Sequence, residues 1–133
     1  MAEPVDVVQQ LLRSFSSHDE AIAAINALTA EDMVWSNSGL PDAVGREAVL
    51  AMVEAMHTGM GADGMKIEVL NIAANGDTVL TERVDRAIKA DGSEIVSVDV
   101  MGTFELRDGV ISAWRDYFDL AGFMGRLQAA LGG

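Results

Sequence analysis

The chain contains no cysteine, which rules out a disulfide framework, a thiol nucleophile and thiolate metal ligands. Basic residues are scarce: nine lysines and arginines stand against 21 aspartates and glutamates, a formal charge of -12. A surface of that sign repels nucleic acid and anionic membranes, so neither is an expected partner. No apolar run approaches the roughly 18 residues of a membrane-crossing helix. The opening Met1-Ala2-Glu3-Pro4-Val5-Asp6 has neither the basic start nor the apolar centre of a secretory leader. A cytoplasmic protein is therefore expected. What is present is 133 residues, 50% of them hydrophobic, enough for one packed domain over residues 1–133.

The first third has helical periodicity. Val5, Val8, Leu11, Leu12 and Phe15 recur at the spacing of an amphipathic helix that ends near Ser16-Ser17-His18. Asp19 is a candidate cap for a second helix burying Ile22, Ile25 and Leu28. Residues 31–37 form a short strand candidate, and residues 46–57 carry Val49, Met52, Val53 and Met56 as the buried stripe of a third helix stopped by Gly59 and Gly61.

From Met65 the period changes to two. Residues 65–73, 78–89, 93–106 and 110–118 alternate, separated by Asn75-Gly76, Asp91-Gly92 and Asp108-Gly109, which are hairpin signals because they tolerate positive φ. Residues 120–131 then read as a closing helix with Phe123, Leu127 and Leu131 on one side. Helices followed by an antiparallel meander make an α+β protein. A long, curved sheet with the helices packed in its hollow would form a cone with a cavity at one end.

Within the last strand, alternation places Trp114, Asp116 and Phe118 on one face and Arg115 and Tyr117 on the other. A carboxylate between two aromatics needs a partner. Arg83 and Asp85, two apart in Thr81-Glu82-Arg83-Val84-Asp85, point the same way and supply one if both strands face a common cavity. Alone, Arg83 and Asp85 read more simply as a structural or exposed cross-strand pair, and it is the nearby Asp116, flanked by Trp114 and Phe118, that favours a site. Asp99 alternates away from Val98 and Val100 and is expected at solvent or a subunit interface. Asp119 reads as the cap of the last helix. His18 and His57 have no further ligand at metal spacing, so no metal is expected. The methionines Met33, Met52, Met56, Met60, Met65, Met101 and Met124 are expected in the core or along a pocket. Gly59 to Gly64 follows a helix instead of opening one and is a poor phosphate cradle.

These residues resemble the limonene-1,2-epoxide hydrolases, within the broader group of nuclear transport factor 2-like and SnoaL-like domains. The resemblance rests on Thr81-Glu82-Arg83-Val84-Asp85, on Trp114-Arg115-Asp116-Tyr117-Phe118-Asp119-Leu120, and on Glu31-Asp32, Asn37, Leu40-Pro41 and Gly45-Arg46 in the same order. It implies a cofactor-free, one-step opening of an apolar epoxide by water to a vicinal diol. Asp116 would be the general base, Asp85 the general acid and Arg83 the bridge, with Asn37 helping to hold the water. The family's remaining water-holding tyrosine corresponds to Trp35, whose indole donates a hydrogen bond but accepts none, so the water network is expected to differ. Trp114, Phe118, Val98 and Val100 would line the substrate pocket. The family also implies a homodimer through the outer sheet face.

The chemistry explains the residue types. One ionised and one protonated carboxyl activate water and the leaving oxygen together. An arginine between them sets orientation and proton distribution. Two other readings fit the same fold. In an isomerase or cyclase for a steroid or polyketide, one aspartate suffices and the second carboxylate is idle. In a non-catalytic ligand-binding or dimerisation module, the trio is a buried salt bridge.

Overall fold

The computed structural model describes residues 2–132. Helices α1 (Pro4–Ser14) and α2 (His18–Leu28) are followed by strands β1 (Thr29–Asn37) and β2 (Ala43–Val44) and then by helix α3 (Arg46–Met60). Strands β3 (Gly64–Asn75), β4 (Thr78–Ile88), β5 (Glu94–Arg107) and β6 (Val110–Tyr117) follow, and α4 (Leu120–Ala130) closes the order.

The sheet runs β2-β1-β6-β5-β4-β3. Its β3–β6 half is the expected antiparallel meander. The other edge departs from an all-antiparallel sheet: β1 pairs parallel to β6 and places Trp35 opposite Trp114 and Asn37 opposite Asp116. The connection from β1 to β6, through β2, α3 and the rest of the meander, is long enough for the crossover that parallel pairing needs. Register shifts at Val69/Asn71, Ala87/Ile88 and Glu105/Leu106 bend the long strands, leaving a curved, open sheet.

Helices α1, α2 and α3 fill the hollow. Val8, Leu11, Leu12, Ile25, Met33, Val49, Phe104, Ile111 and Trp114 form the centre of the core. The tight β5–β6 turn holds Asp108 at φ 55 and Gly109 at φ 82, the paired left-handed conformation that a two-residue hairpin demands.

Several expected details differ. Ser17, not Asp19, caps α2, because Ser17 is the residue in extended conformation and its hydroxyl accepts from Glu20 N; Asp19 sits inside the first turn. Helix α2 buries Ala21 and Ile25, with Ile22 and Leu28 only half-buried. Helix α3 runs through Gly59 and stops at Gly61, whose φ of 66 ends it. Leu131 lies past the end of α4 and is exposed, while Phe123 and Leu127 pack on Met60, Ala87 and Val96. Met101 and Met124 are exposed as well: Met101 alternates with buried Val100 and Gly102 and so faces outward.

Candidate active site

Strands β4, β5 and β6 bring the expected trio together on the inner face. Arg83 Nε and Nη2 donate to Asp85 Oδ1 and Oδ2 at 3.1 and 2.8 Å. Its Nη1 and Nη2 donate to Asp116 Oδ1 and Oδ2, both at 3.1 Å. The second Nη1 hydrogen goes to Thr81 Oγ1 at 3.1 Å. All five guanidinium hydrogens are thereby used, in two forks of the kind only arginine can make. The ring of Phe104 lies 5.9 Å from the guanidinium carbon.

The site is dry. The Arg83 side chain is fully enclosed and those of Asp116 and Asp85 are 6% and 12% exposed, so the trio is walled in rather than lining an open cavity. The hollow is closed at this level by aromatic packing: Trp35 stacks on Trp114 at 4.0 Å and 11°, Phe15 meets both edge-on, and Phe104 tilts against Trp114. A half-open pocket of about 30 Å³, with room for about one water, lies elsewhere, between Phe15, His18, Met56, His57, Met60 and Met65.

Burial pushes the Asp116 carboxyl above its ordinary value. The charge and hydrogen bonds of Arg83 and the bond from Trp114 pull downward without cancelling the rise, to which the charge of Asp85 adds. Burial also works against the charge on Arg83, but its hydrogen bond to Asp85 and the two carboxylate charges outweigh that and raise it. Once ionised, a carboxylate raised above its ordinary value is a better proton acceptor than an ordinary one.

Around Asp116, Trp114 Nε1 donates to Oδ1 at 2.8 Å. Asn37 is its register partner across β1 and β6, with the amide nitrogen 4.0 Å from Met52 Sδ. Trp35 is 4% exposed, and its Nε1 is buried with no partner among the described residues. Val100 pairs with Arg83 and Val98 with Asp85 on the inner face of β5. Phe118 lies beyond the end of β6, half-buried and edge-on to Phe123 at 6.1 Å. Asp99 is exposed, and Asp119 caps α4 by accepting from Gly122 N.

Three contributors went unremarked in the sequence. Thr81 Oγ1 accepts from Arg83 and donates to Gly102 O at 3.0 Å. Gly102 faces the trio without a side chain; an isolated glycine inside a strand run is a signal of close approach. Ser38 N donates to Asp116 O at 3.1 Å and its Oγ accepts from Phe118 N at 3.1 Å, which pins the ends of β1 and β6 together. Ser38 lies in a polar loop that carries no sequence signal. His18 and His57 stack at 4.0 Å, which their separation in sequence did not suggest, but no group of three or more residues suited to a metal occurs among the described residues.

A family model for the limonene-1,2-epoxide hydrolase catalytic domain matches residues 2–128. The chain is 33% identical over 113 residues to epoxide hydrolase EphG of Mycobacterium tuberculosis, covering 85% of this chain and 71% of that one. Among solved structures it is similar to an LEH-like epoxide hydrolase of M. tuberculosis, with a TM-score of 0.77 at 29% identity over 97% of this chain and 92% of the other. The fold is also that of a nuclear transport factor 2-like protein of unknown function from Burkholderia pseudomallei, with a TM-score of 0.78 at 16% identity over 96% and 98% of the two chains.

Proposed function

The chain belongs to the limonene-1,2-epoxide hydrolase family, and from that premise we propose that it adds water to an apolar epoxide in one step, without a cofactor, giving a vicinal diol. The observation that carries this reading is a single arginine forked onto two buried carboxyls. Two carboxyls in an enclosed site do not both ionise readily. In the reactive form Asp116 has given up the proton that burial favours on it, and Asp85 is protonated. The Asp116 carboxylate then takes a proton from water as the water oxygen bonds to an epoxide carbon. The C–O bond breaks, and Asp85 gives its proton to the departing oxygen. The two carboxyls have then exchanged states, and proton exchange with solvent resets them.

Trp35 and Asn37 are the proposed holders of that water. The unpartnered Trp35 N–H can donate to the water oxygen, which leaves both water hydrogens for acceptors such as Asn37 Oδ1 and Asp116. This differs from a tyrosine, which can also accept.

Asp85 is the most exposed of the trio, so the substrate is proposed to arrive from its end, past Val98. The buried cluster of Met60, Ala87 and Val96, against which Met56 and Phe123 pack, is apolar and would suit an apolar substrate once uncovered. Helix α4 has no fully buried residue and is the element whose displacement would open it.

A second reading is favoured by one observation: with Arg83 enclosed and all its donors used, the trio also satisfies the description of a structural ion cluster in a non-catalytic binding module. An isomerase or cyclase has weaker support, because it needs only one of the two carboxyls. A homodimer through the outer sheet face is proposed from the exposed patch of Leu70, Leu80, Met101 and Tyr117, in which Met101 and Tyr117 are register partners. A cytoplasmic location rests on the sequence reading alone.

The test is a single turnover of terpene, styrene-type and fatty-acid epoxides in ¹⁸O-labelled water. Labelled diol from the unmodified chain and none from Asp116→Asn supports direct attack by water. Unlabelled first-turnover diol means a covalent enzyme ester and overturns the one-step reaction. No diol from any epoxide moves the assignment to the binding module.

A further inference from the structure

We propose that Gly102 and Thr81 are positioning residues for the carboxyl pair: the missing side chain of Gly102 is the space through which Arg83 reaches Asp116, and the Thr81 hydroxyl locks the guanidinium there. This rests on the hydrolase reading for its catalytic consequence, but not for its geometry.

Thr81, Gly102 and Asp116 form one row across β4, β5 and β6, because Gly102 is the register partner of both Thr81 and Asp116. Arg83 starts two residues away on β4, opposite Val100. Its grip on Asp85, a neighbour on its own strand, does not cross that row. Its grip on Asp116 does. A Cβ at Gly102 would lie 2.2 Å from Arg83 Nη1, 2.5 Å from Asp116 Oδ1 and 3.0 Å from Thr81 Oγ1. The first two contacts are shorter than real Cβ atoms show, so any other residue at 102 must displace the tip of Arg83 or of Asp116 from the position in which the two now meet. Glycine here is not a response to backbone strain, since its φ lies outside the left-handed region.

Thr81 completes the device. Its hydroxyl accepts the Nη1 hydrogen left over after the two carboxylate forks and donates its own hydrogen to Gly102 O. The hydroxyl thus has one orientation and the guanidinium one rotation. Without that acceptor, the buried Nη1 hydrogen has no partner and the fork on Asp116 loosens.

The consequence is chemical. Contact with Arg83 stabilises the ionised form of Asp116. Breaking that contact while leaving Asp85 paired should shift the proton of the pair towards Asp116, the group that must accept one. A residue that merely fills space would alter the melting temperature without altering this titration.

The experiment combines kinetics with ¹³C-carboxyl NMR of the aspartates, the Asp116 resonance being assigned with Asp116→Asn. The variants are Gly102→Ala, Thr81→Val and Thr81→Ser, with Gly59→Ala as a control where a Cβ meets nothing within 4 Å. In Gly102→Ala the Asp116 titration and the acid limb of kcat/KM should both move to higher pH, with kcat down about 100-fold, as for an ångström-scale displacement of a reacting group. Thr81→Val should show a smaller loss in kcat with KM nearly unchanged, and Thr81→Ser should restore it. Titrations in Gly102→Ala and Thr81→Val that match the unmodified chain would overturn the proposal, whatever the melting temperatures do. A shifted titration in a chain that opens no epoxide would uphold the positioning role while removing the hydrolase reading. Should Gly102→Ala fail to fold, the isosteric Thr81→Val and its serine rescue decide alone.

Discussion

Trp114 Nε1 donates at 2.8 Å to Asp116 Oδ1, the same oxygen that receives Arg83 Nη1. The indole is thus both a wall of the aromatic stack and a ligand of the proposed base. Trp114→Phe keeps most of the wall and removes the donor. Since the indole bond favours the ionised carboxyl, its loss should raise the acid limb of the kcat/KM profile. It should also cost about 1–3 kcal/mol of stability through the lost bond and altered packing. A pH–rate profile and a urea titration of the same variant check both.

Asp116 also predicts a pH dependence of stability. Its folded value is raised above the unfolded one, so the folded chain holds this proton to higher pH. The contribution is complete below the unfolded carboxyl range and is lost as pH rises through the folded value. Asp116→Asn cannot titrate. The stability of the unmodified chain relative to Asp116→Asn should therefore fall between acidic and neutral pH, measured by urea midpoints at stepped pH. A flat difference would show that Asp116 titrates normally.

Removing Arg83 alone should be worse than removing the trio. Arg83→Met leaves two enclosed carboxyls without their cation and is expected to cost about 3–5 kcal/mol, as for other broken buried pairs. Arg83→Met combined with Asp85→Leu and Asp116→Leu removes the stranded charges and should recover most of that loss. Chemical denaturation of both variants gives the comparison. A triple variant no more stable than the single one would mean that packing, not charge, dominates the site.

Trp35 offers a kinetic test. If its free N–H holds the attacking water, Trp35→Phe should lower kcat by about 10- to 100-fold with little change in KM, since the bond is made to water rather than to substrate. Trp35→Tyr should recover part of the loss. Unchanged kcat in Trp35→Phe under single-turnover conditions would leave the indole a purely structural member of its stack.

The outer face predicts assembly. Met101→Glu with Leu80→Glu places two charges in the apolar patch and should yield monomers in sedimentation velocity, while the unmodified chain sediments as a dimer. A monomeric unmodified chain would refute the dimer directly.

Much of this was legible because it is local. The period-two runs around Asn75-Gly76 and Asp108-Gly109 contain their own turn chemistry, and Arg83, Asp85, Trp114 and Asp116 declare their shared face through alternation. What alternation could not supply was distance across strands. That Gly102 sits opposite both Thr81 and Asp116 is a matter of register, which depends on bulges such as the one at Glu105/Leu106. The parallel placement of β1 was equally hidden, because nothing in residues 29–37 specifies a partner so far along the chain. The capping error at Asp19 arose within a run of polar candidates, Ser17, His18 and Asp19, where backbone conformation rather than side-chain type decides.

The β1–β6 pairing separates the two halves of the site in time as well as in sequence. The Arg83–Asp116 contact spans 33 residues within consecutive hairpins, whereas the Ser38–Asp116 contact spans 78. Short loops close before long ones, so the charged trio is expected to assemble early and Trp35 and Asn37, the proposed holders of the water, last. Pulse-labelled hydrogen exchange during refolding should then find the β3–β6 amides protected ahead of those in β1. A nascent molecule would in this way hold its proposed acid and base while Trp35 and Asn37 are still absent from beside them, and the proposed site would be complete only when its first strand docks on its last.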